Sequence, residues 1–268
     1  MNRFITLVSC GERSKKTLWL CSPFLYAALA ACFFTAANLR AASIGVNLGD
    51  TNNGSVNALS SAGVVPQTNW MNVGATSTPG LALSDNSGVP TTATLAYTGN
   101  LNPFIQNLSF VSGPDELLNN SYLASFGSSM TFTVSNVPYA NYDLIAYVTT
   151  SQTGRTYTAT LGSTTLFGIS PNSSSAGYID NAPTPFTYTS AVGTTSGTAT
   201  PNGNYFRFNG LTSSTLSFTM ASTNDLPTLT AFQIVQAIPE PSSIALAGMG
   251  VIGLALAGWK RQRSRRVA

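Results

Sequence analysis

No histidine occurs in these 268 residues, and the three cysteines, Cys10, Cys21 and Cys32, all precede residue 43. Lysine is also missing from residues 43 to 236. These gaps strip much chemistry from the long middle of the chain: Ser-His and Cys-His nucleophilic pairs, Cys/His zinc sites, Schiff-base lysines and disulfides. Charge is scarce, at 8% of residues, and unevenly placed. Arg3, Arg13, Lys15, Lys16 and Arg40 lie in the first 42 residues, and Lys260, Arg261, Arg263, Arg265 and Arg266 in the last nine. Between them, Arg155 and Arg207 face Asp50, Asp85, Asp115, Glu116, Asp143, Asp180 and Asp225, so the body carries a net charge of −5. A nucleic-acid binder needs a basic stripe to displace counterions from phosphate, and this body has none, so nucleic acid is excluded as a partner. Solubility must rest on Ser, Thr and Asn groups rather than on charge.

What is present divides the chain in three. Residues 1–42 have cations ahead of "TLWLCSPFLYAALAACFFTAA" and small residues after it, the pattern of a secretory signal helix. Cleavage is expected at Ala37, Ala41 or Ala42. "LAAC" at 29–32 leaves a second possibility, a lipoprotein acylated on Cys32. Residues 237–268 hold Pro239-Glu240-Pro241, an uncharged apolar run over about 244–259 and the basic tail 260–268. That run is expected to be a transmembrane helix, slightly short for a hydrocarbon core of about 30 Å. The cations beyond it should stay cytoplasmic, which puts the body outside.

Pro239-Glu240-Pro241, the apolar span and "WKRQRSRR", in that order, resemble the PEP-CTERM sorting signal of Gram-negative bacteria. The resemblance implies export by the secretion machinery, passage through the membrane and processing by exosortase, a membrane protease-transpeptidase. The mature protein is then expected at the cell surface or secreted, in bacteria that often make extracellular polysaccharide.

The body, residues 43–236, shows short period-two runs bounded by Gly, Pro, Asn and Ser. They are "SIGVNL" (43–48), "TATLAYT" (92–98), "MTFTVSNV" (130–137), "YDLIAYVTT" (142–150), "RTYTATL" (155–161), "TTLFGI" (164–169), "PFTYTSA" (185–191), "NYFRFNGL" (204–211), "STLSFTMAS" (214–222) and "LTAFQIVQ" (229–236). Such runs predict an all-β, antiparallel β-sandwich of one domain. "LGS" at 161–163 and "NGLTSS" at 209–214 are expected to turn hairpins. "VVPQTNWMNV", "FTVSNVPYANYDLIAYV" and the closing strands resemble galactose-binding-like and malectin-like jelly rolls, which implies a jelly-roll-like sandwich and suggests carbohydrate as a ligand.

Candidate sites follow from side-chain chemistry. Trp70, with Asn69 and Asn72 beside it, would suit a sugar as an exposed platform, since the C–H face of a pyranose stacks on a flat ring and its hydroxyls need amides. As a core plug it would bind nothing. Tyr205 and Arg207 fall on one face of a strand and offer a second glycan patch, or Arg207 simply pairs with a carboxylate. Asp50 and Asn52 in "GDTNNG", with Asp225, offer oxygen ligands for a structural calcium, though the distal bidentate Glu of a calcium loop is missing. No other cofactor is expected. For catalysis only adjacent Asp115 and Glu116 remain, and neighbours on a strand point to opposite faces. The reading is therefore a non-enzyme, a structural component of the exopolysaccharide matrix. A carbohydrate-binding module and a glycosidase stand as alternatives.

Overall fold

The computed structural model describes residues 41–49, 55–75, 80–105, 113–149, 154–170 and 186–237, together with residue 253. The expected signal helix, and the expected membrane helix apart from residue 253, lie outside them. Among the described residues no helix is long and apolar enough to cross a membrane.

The body is a β-sandwich. Its strands are β1 (Ser43–Leu48), β2 (Met71–Val73), β3 (Leu81–Ser84), β4 (Pro90–Thr98), β5 (Leu101–Ile105), β6 (Ser121–Ser125), β7 (Ser129–Ser135), β8 (Tyr142–Tyr147), β9 (Thr156–Leu161), β10 (Thr164–Ile169), β11 (Tyr205–Leu211), β12 (Thr215–Ser222), β13 (Thr228–Leu229) and β14 (Ala231–Gln236). One layer has the order β11-β8-β14-β1-β2, the other β10-β9-β12-β7-β4-β3, and β13-β6-β5 form a small third sheet. Neighbours pair antiparallel except β1 and β2, which run parallel. Consecutive strands change layer at β2–β3, β7–β8, β8–β9, β10–β11 and β11–β12, the crossing habit expected of a jelly-roll-like sandwich.

Alternation explains the core between the layers. In β7 and β12 the odd-face Thr and Ser point outward while Phe132, Val134, Leu216, Phe218 and Met220 point in and are almost fully buried. Phe132 and Phe218 stack at 5.4 Å, and Phe232 of the opposite layer meets Phe218 at 5.6 Å in an edge-on arrangement. Burying a side chain such as Phe232 or Ile234 contributes about 1.5–3 kcal/mol.

The five-stranded layer is also covered on its outer face. Val56, Ala62, Trp70 and Leu118 pack there against Ile145, Tyr147, Ala231 and Val235. Close approach fixes Gly45 in β1: a Cβ at that position would sit 2.6 Å from the Gln67 Cδ and 2.8 Å from the Trp70 Cε3.

Several expectations change. "LGS" does turn the β9–β10 hairpin, with Gly162 at φ +56°. "NGLTSS" does not turn a hairpin: β11 and β12 belong to different layers, and the segment carries the chain across. The described part of "PFTYTSA" is not a regular strand but an irregular cover that touches β11 through a Ser190–Tyr205 bridge. Asp115 and Glu116 lie on a short helix, α1 (Pro114–Leu118), rather than on a strand. Proline at its first turn supplies the φ a helix start needs, and the two carboxylates suit the positive end of so short an element.

Candidate functional site

The outward face of the six-stranded layer is a regular surface. Its six strands contain no charged residue. Register places Thr98, Thr131, Thr219, Thr160 and Thr165 side by side across β4, β7, β12, β9 and β10. With strands about 4.8 Å apart, this row runs roughly 19 Å. Parallel to it, Thr133 faces Ser217, and Ser135 lies between Thr94 and Thr215. Some hydroxyls pair across strands, Thr131 with Thr219 at 2.9 Å, Thr160 with Thr165 at 3.0 Å and Thr133 with Ser217 at 3.2 Å. Each hydroxyl keeps donor or acceptor capacity beyond that pair. The alternating runs foretold outward hydroxyls; their alignment into a row depends on register between strands distant in sequence, which no single run encodes.

Of the two readings of Trp70 the exposed platform is the one that fails: the ring is a plug beneath the loop cover. It is 4% exposed, donates its ring N–H to the Gln67 carbonyl at 3.2 Å and meets Tyr147 edge-on at 6.2 Å. The sequence around it supplies the reason: β1 has glycine, Gly45, under the ring, so the indole can settle onto the sheet. The amides beside it are spent on backbone. Asn69 donates to the Asn86 carbonyl, and the Asn72 carboxamide accepts from Val56 N–H and the Asn47 side chain while donating to the Val56 carbonyl.

Beneath this cover lies a polar network that sequence reasoning missed. The Tyr147 hydroxyl donates to the Gln233 side chain and accepts from Val64 N–H at 2.8 Å. The Gln233 amide donates to the Val65 carbonyl and to Gln67 Oε1. Burial pushes the Tyr147 and Tyr188 hydroxyls far up from the ordinary tyrosine range. Asp115 Oδ1 accepts from Gly63 N–H at 2.7 Å and from the Tyr188 hydroxyl at 2.8 Å, and Glu116 is 8% exposed. Asp115 therefore holds the loop cover in place and Glu116 is buried beside it, so the two present no open pair astride a cleft. A buried Gln in a strand reads as an ordinary polar position, so only the fold shows what surrounds it.

Tyr205 and Arg207 do share the outer face of β11 while Phe206 and Phe208 enter the core. Tyr205 is half-buried against Tyr147 and Tyr188. Arg207 makes a two-point ion pair with Asp143, at 2.6 and 3.2 Å, whose other oxygen accepts Gly210 N–H. Its charge is thus matched locally. Next to it, a groove of about 780 Å³ opens between the layers, lined by Leu161, Thr164, Asn209, Leu211, Ser213 and Leu216 among others. Among the described residues the exposed aromatic is Phe126, 57% exposed, beside Phe104, which stacks on Tyr122 at 5.7 Å.

Asp225 accepts from the Tyr157 hydroxyl and from Leu226 N–H. Asp50 and Asn52 lie outside the described residues, and among the described residues no cluster of three metal-ligating side chains occurs. Pro239, Glu240 and Pro241 also lie outside them.

The body is a sandwich with an uncharged hydroxyl face, and among the described residues no two carboxylates flank an open cleft. Its tail is specific: residues 237–262 match the PEP-CTERM protein-sorting motif. The motif implies an exported surface protein, processed at the membrane by exosortase. No curated protein matches this sequence. A calcium-binding mutant of Bacteroides uniformis β-glucuronidase 2 is similar in structure over 64% of this chain and 20% of its own, at 8% identity and a TM-score of 0.30. The chain thus spans about a fifth of that protein's length.

Proposed function

We propose that the protein is a non-catalytic component of the extracellular polysaccharide matrix, held against neutral glycan chains by the outer face of its six-stranded layer. The observation that carries this reading is the uncharged Ser/Thr plane with five threonines in register. A polysaccharide presents hydroxyls at a short repeat, and a flat field of hydroxyls can exchange hydrogen bonds with it at many points, each weak and together additive. Charge would add salt sensitivity and attract counterions; its absence suits a neutral partner. The non-catalytic part rests on Asp115, Glu116 and Asp143, each occupied or buried within the scaffold.

The test is co-sedimentation of the purified protein with the polysaccharide of a producing strain. Thr131→Val, Thr219→Val and Thr160→Val together keep the side-chain shape and remove three hydroxyls. Retention should fall about ten-fold while the melting temperature stays within a few degrees. Equal retention by the triple variant would sink the reading, as would hydrolysis of the polysaccharide by the wild-type chain.

A further inference from the structure

We propose that the end of the sandwich from which residues 42 and 237 emerge is a docking surface for the processing enzyme, and that the enzyme takes the chain with β14 still in its sheet. The inference rests on the reading of residues 237–262 as an exosortase-processed signal.

The two chain ends of the body lie side by side. Ser43 is in register with Val235, and Gln236 N–H donates to the Ala42 carbonyl at 2.8 Å. One residue later, Ala237 N–H still donates to the Asn141 carbonyl at 2.9 Å. The fold therefore holds the chain through residue 237, and Pro239 comes two residues on. Two residues of extended chain span at most about 7 Å. An enzyme that encloses Pro239-Glu240-Pro241 must bring its own atoms against the loops around Ala237. Those loops are the turn at 85–89 and the segments 136–141 and 209–214, which end the strands on that side.

Slack cannot come from β14. It is an interior strand, hydrogen-bonded to β1 on one side and β8 on the other. Phe232, Gln233 and Ile234 are fully buried, with the Gln233 amide inside the polar network. Releasing this strand opens the core, so peeling it is the unfolding of the domain rather than a local fraying.

Charge decides between a protein and a lipid surface as the occupant. Among the described residues Arg207 is the cation near this end, and it is paired with Asp143; Asp85 adds a carboxylate. Arg40 lies ahead of the cleavage expected at Ala41 or Ala42 and leaves with the signal segment. A face whose described residues have no cation to spare has no attraction for anionic headgroups. Its small exposed residues, Ala140, Asn141, Thr212 and Ser213, leave room for close approach by a protein.

The experiment follows processing of the full chain in a host that holds the enzyme, read as conversion to a shorter form. Ala140→Trp and Thr212→Trp add bulk at this end, and Ser128→Trp adds it in the turn after β6. The first two should slow conversion several-fold and the third should not. A ten-residue Gly/Ser insert between Ala237 and Ile238 should restore the native rate to both slowed variants. Native rates for Ala140→Trp and Thr212→Trp overturn the proposal, and so does slowing that the insert fails to relieve. Repeating the assay with enzyme in detergent micelles separates the occupants: a defect that disappears there belongs to the bilayer and overturns the proposal too. Glu240→Ala, run alongside, reports on the signal alone. Its normal processing would remove the parent reading whatever the tryptophan variants do.

Discussion

The two large sheets share a core but differ in what lies on their other sides. The six-stranded layer has one face toward the core and one away from it, and its central strands β4, β7 and β12 alternate accordingly: β7 is Ser-Met-Thr-Phe-Thr-Val-Ser with Met130, Phe132 and Val134 buried. The five-stranded layer is covered on both faces, and β1 and most of β14 are buried at every position. One layer is thus a half-buried sheet with a hydroxyl surface, and the other is the middle of a three-tier stack. The difference assigns roles. The covered layer supplies stability, and the open one supplies surface.

Removing a side chain that serves both layers should have the largest effect. Phe232 is fully buried and touches Phe132 and Phe218 across the core. Phe232→Ala is expected to cost about 3–5 kcal/mol, much of the stability of an ordinary domain, measured by urea unfolding. A loss below about 1.5 kcal/mol would mean that the layers pack less tightly than this contact implies.

Next comes the covered outer face. Tyr147→Phe removes one hydroxyl and leaves the buried Gln233 oxygen and Val64 N–H short of a partner. A loss of about 2 kcal/mol is expected. Alkaline titration probes the same cover from a different direction. The Tyr147 and Tyr188 hydroxyls are raised by burial, and Tyr139, at the edge of the core, is pushed up to about 12 by burial and then by the nearby Asp85 charge. Below pH of about 10 these phenols are protonated in folded and unfolded chains alike, and their contribution is fully present. Above it the unfolded chain loses protons first, so stability should fall from about pH 10 through about 12 and beyond. A flat unfolding free energy across that window would show that the phenols reach water and that the cover is open.

This contrast also explains how much could be read in the sequence. The ten runs located the open layer well, because "TATLAYT", "MTFTVSNV" and "STLSFTMAS" alternate as a half-buried strand must. "SIGVNL" and "LTAFQIVQ" were legible as strands from their β-branched and apolar content, but which face was covered, and by what, was not. Short strands such as β2, β5, β6 and β13 carry too few residues to show a period. For the sites, the paired fate of Arg207 and the inward phenylalanines beside it were within reach of alternation. For Trp70 the plug was already the better reading of a loop of Asn, Pro and Gln, but what it packs on, Gly45 beneath the ring, shows only in the fold. Asp115 and Glu116 misled: five residues of helix leave no period to detect, and only the tertiary contacts of Gly63 and Tyr188 reveal what the aspartate holds.

The smallest effect belongs to the open face, and it bears hardest on the comparison. Thr133 points outward from β7, and its hydroxyl meets Ser217 at 3.2 Å in a pair that water also reaches. Exchanging one exposed hydroxyl pair for hydration changes little, and the loss of a β-branched side chain from a strand adds a few tenths. Thr133→Ala should therefore cost no more than about 0.5 kcal/mol, against about 2 for Tyr147→Phe on the outer face of the other layer. A cost equal to that of Tyr147→Phe would mean that something in the full-length protein lies over the threonine row. In that case the face assigned to polysaccharide would already be occupied, and the surface for a partner would have to be sought around Phe126 or in the groove beside Asn209.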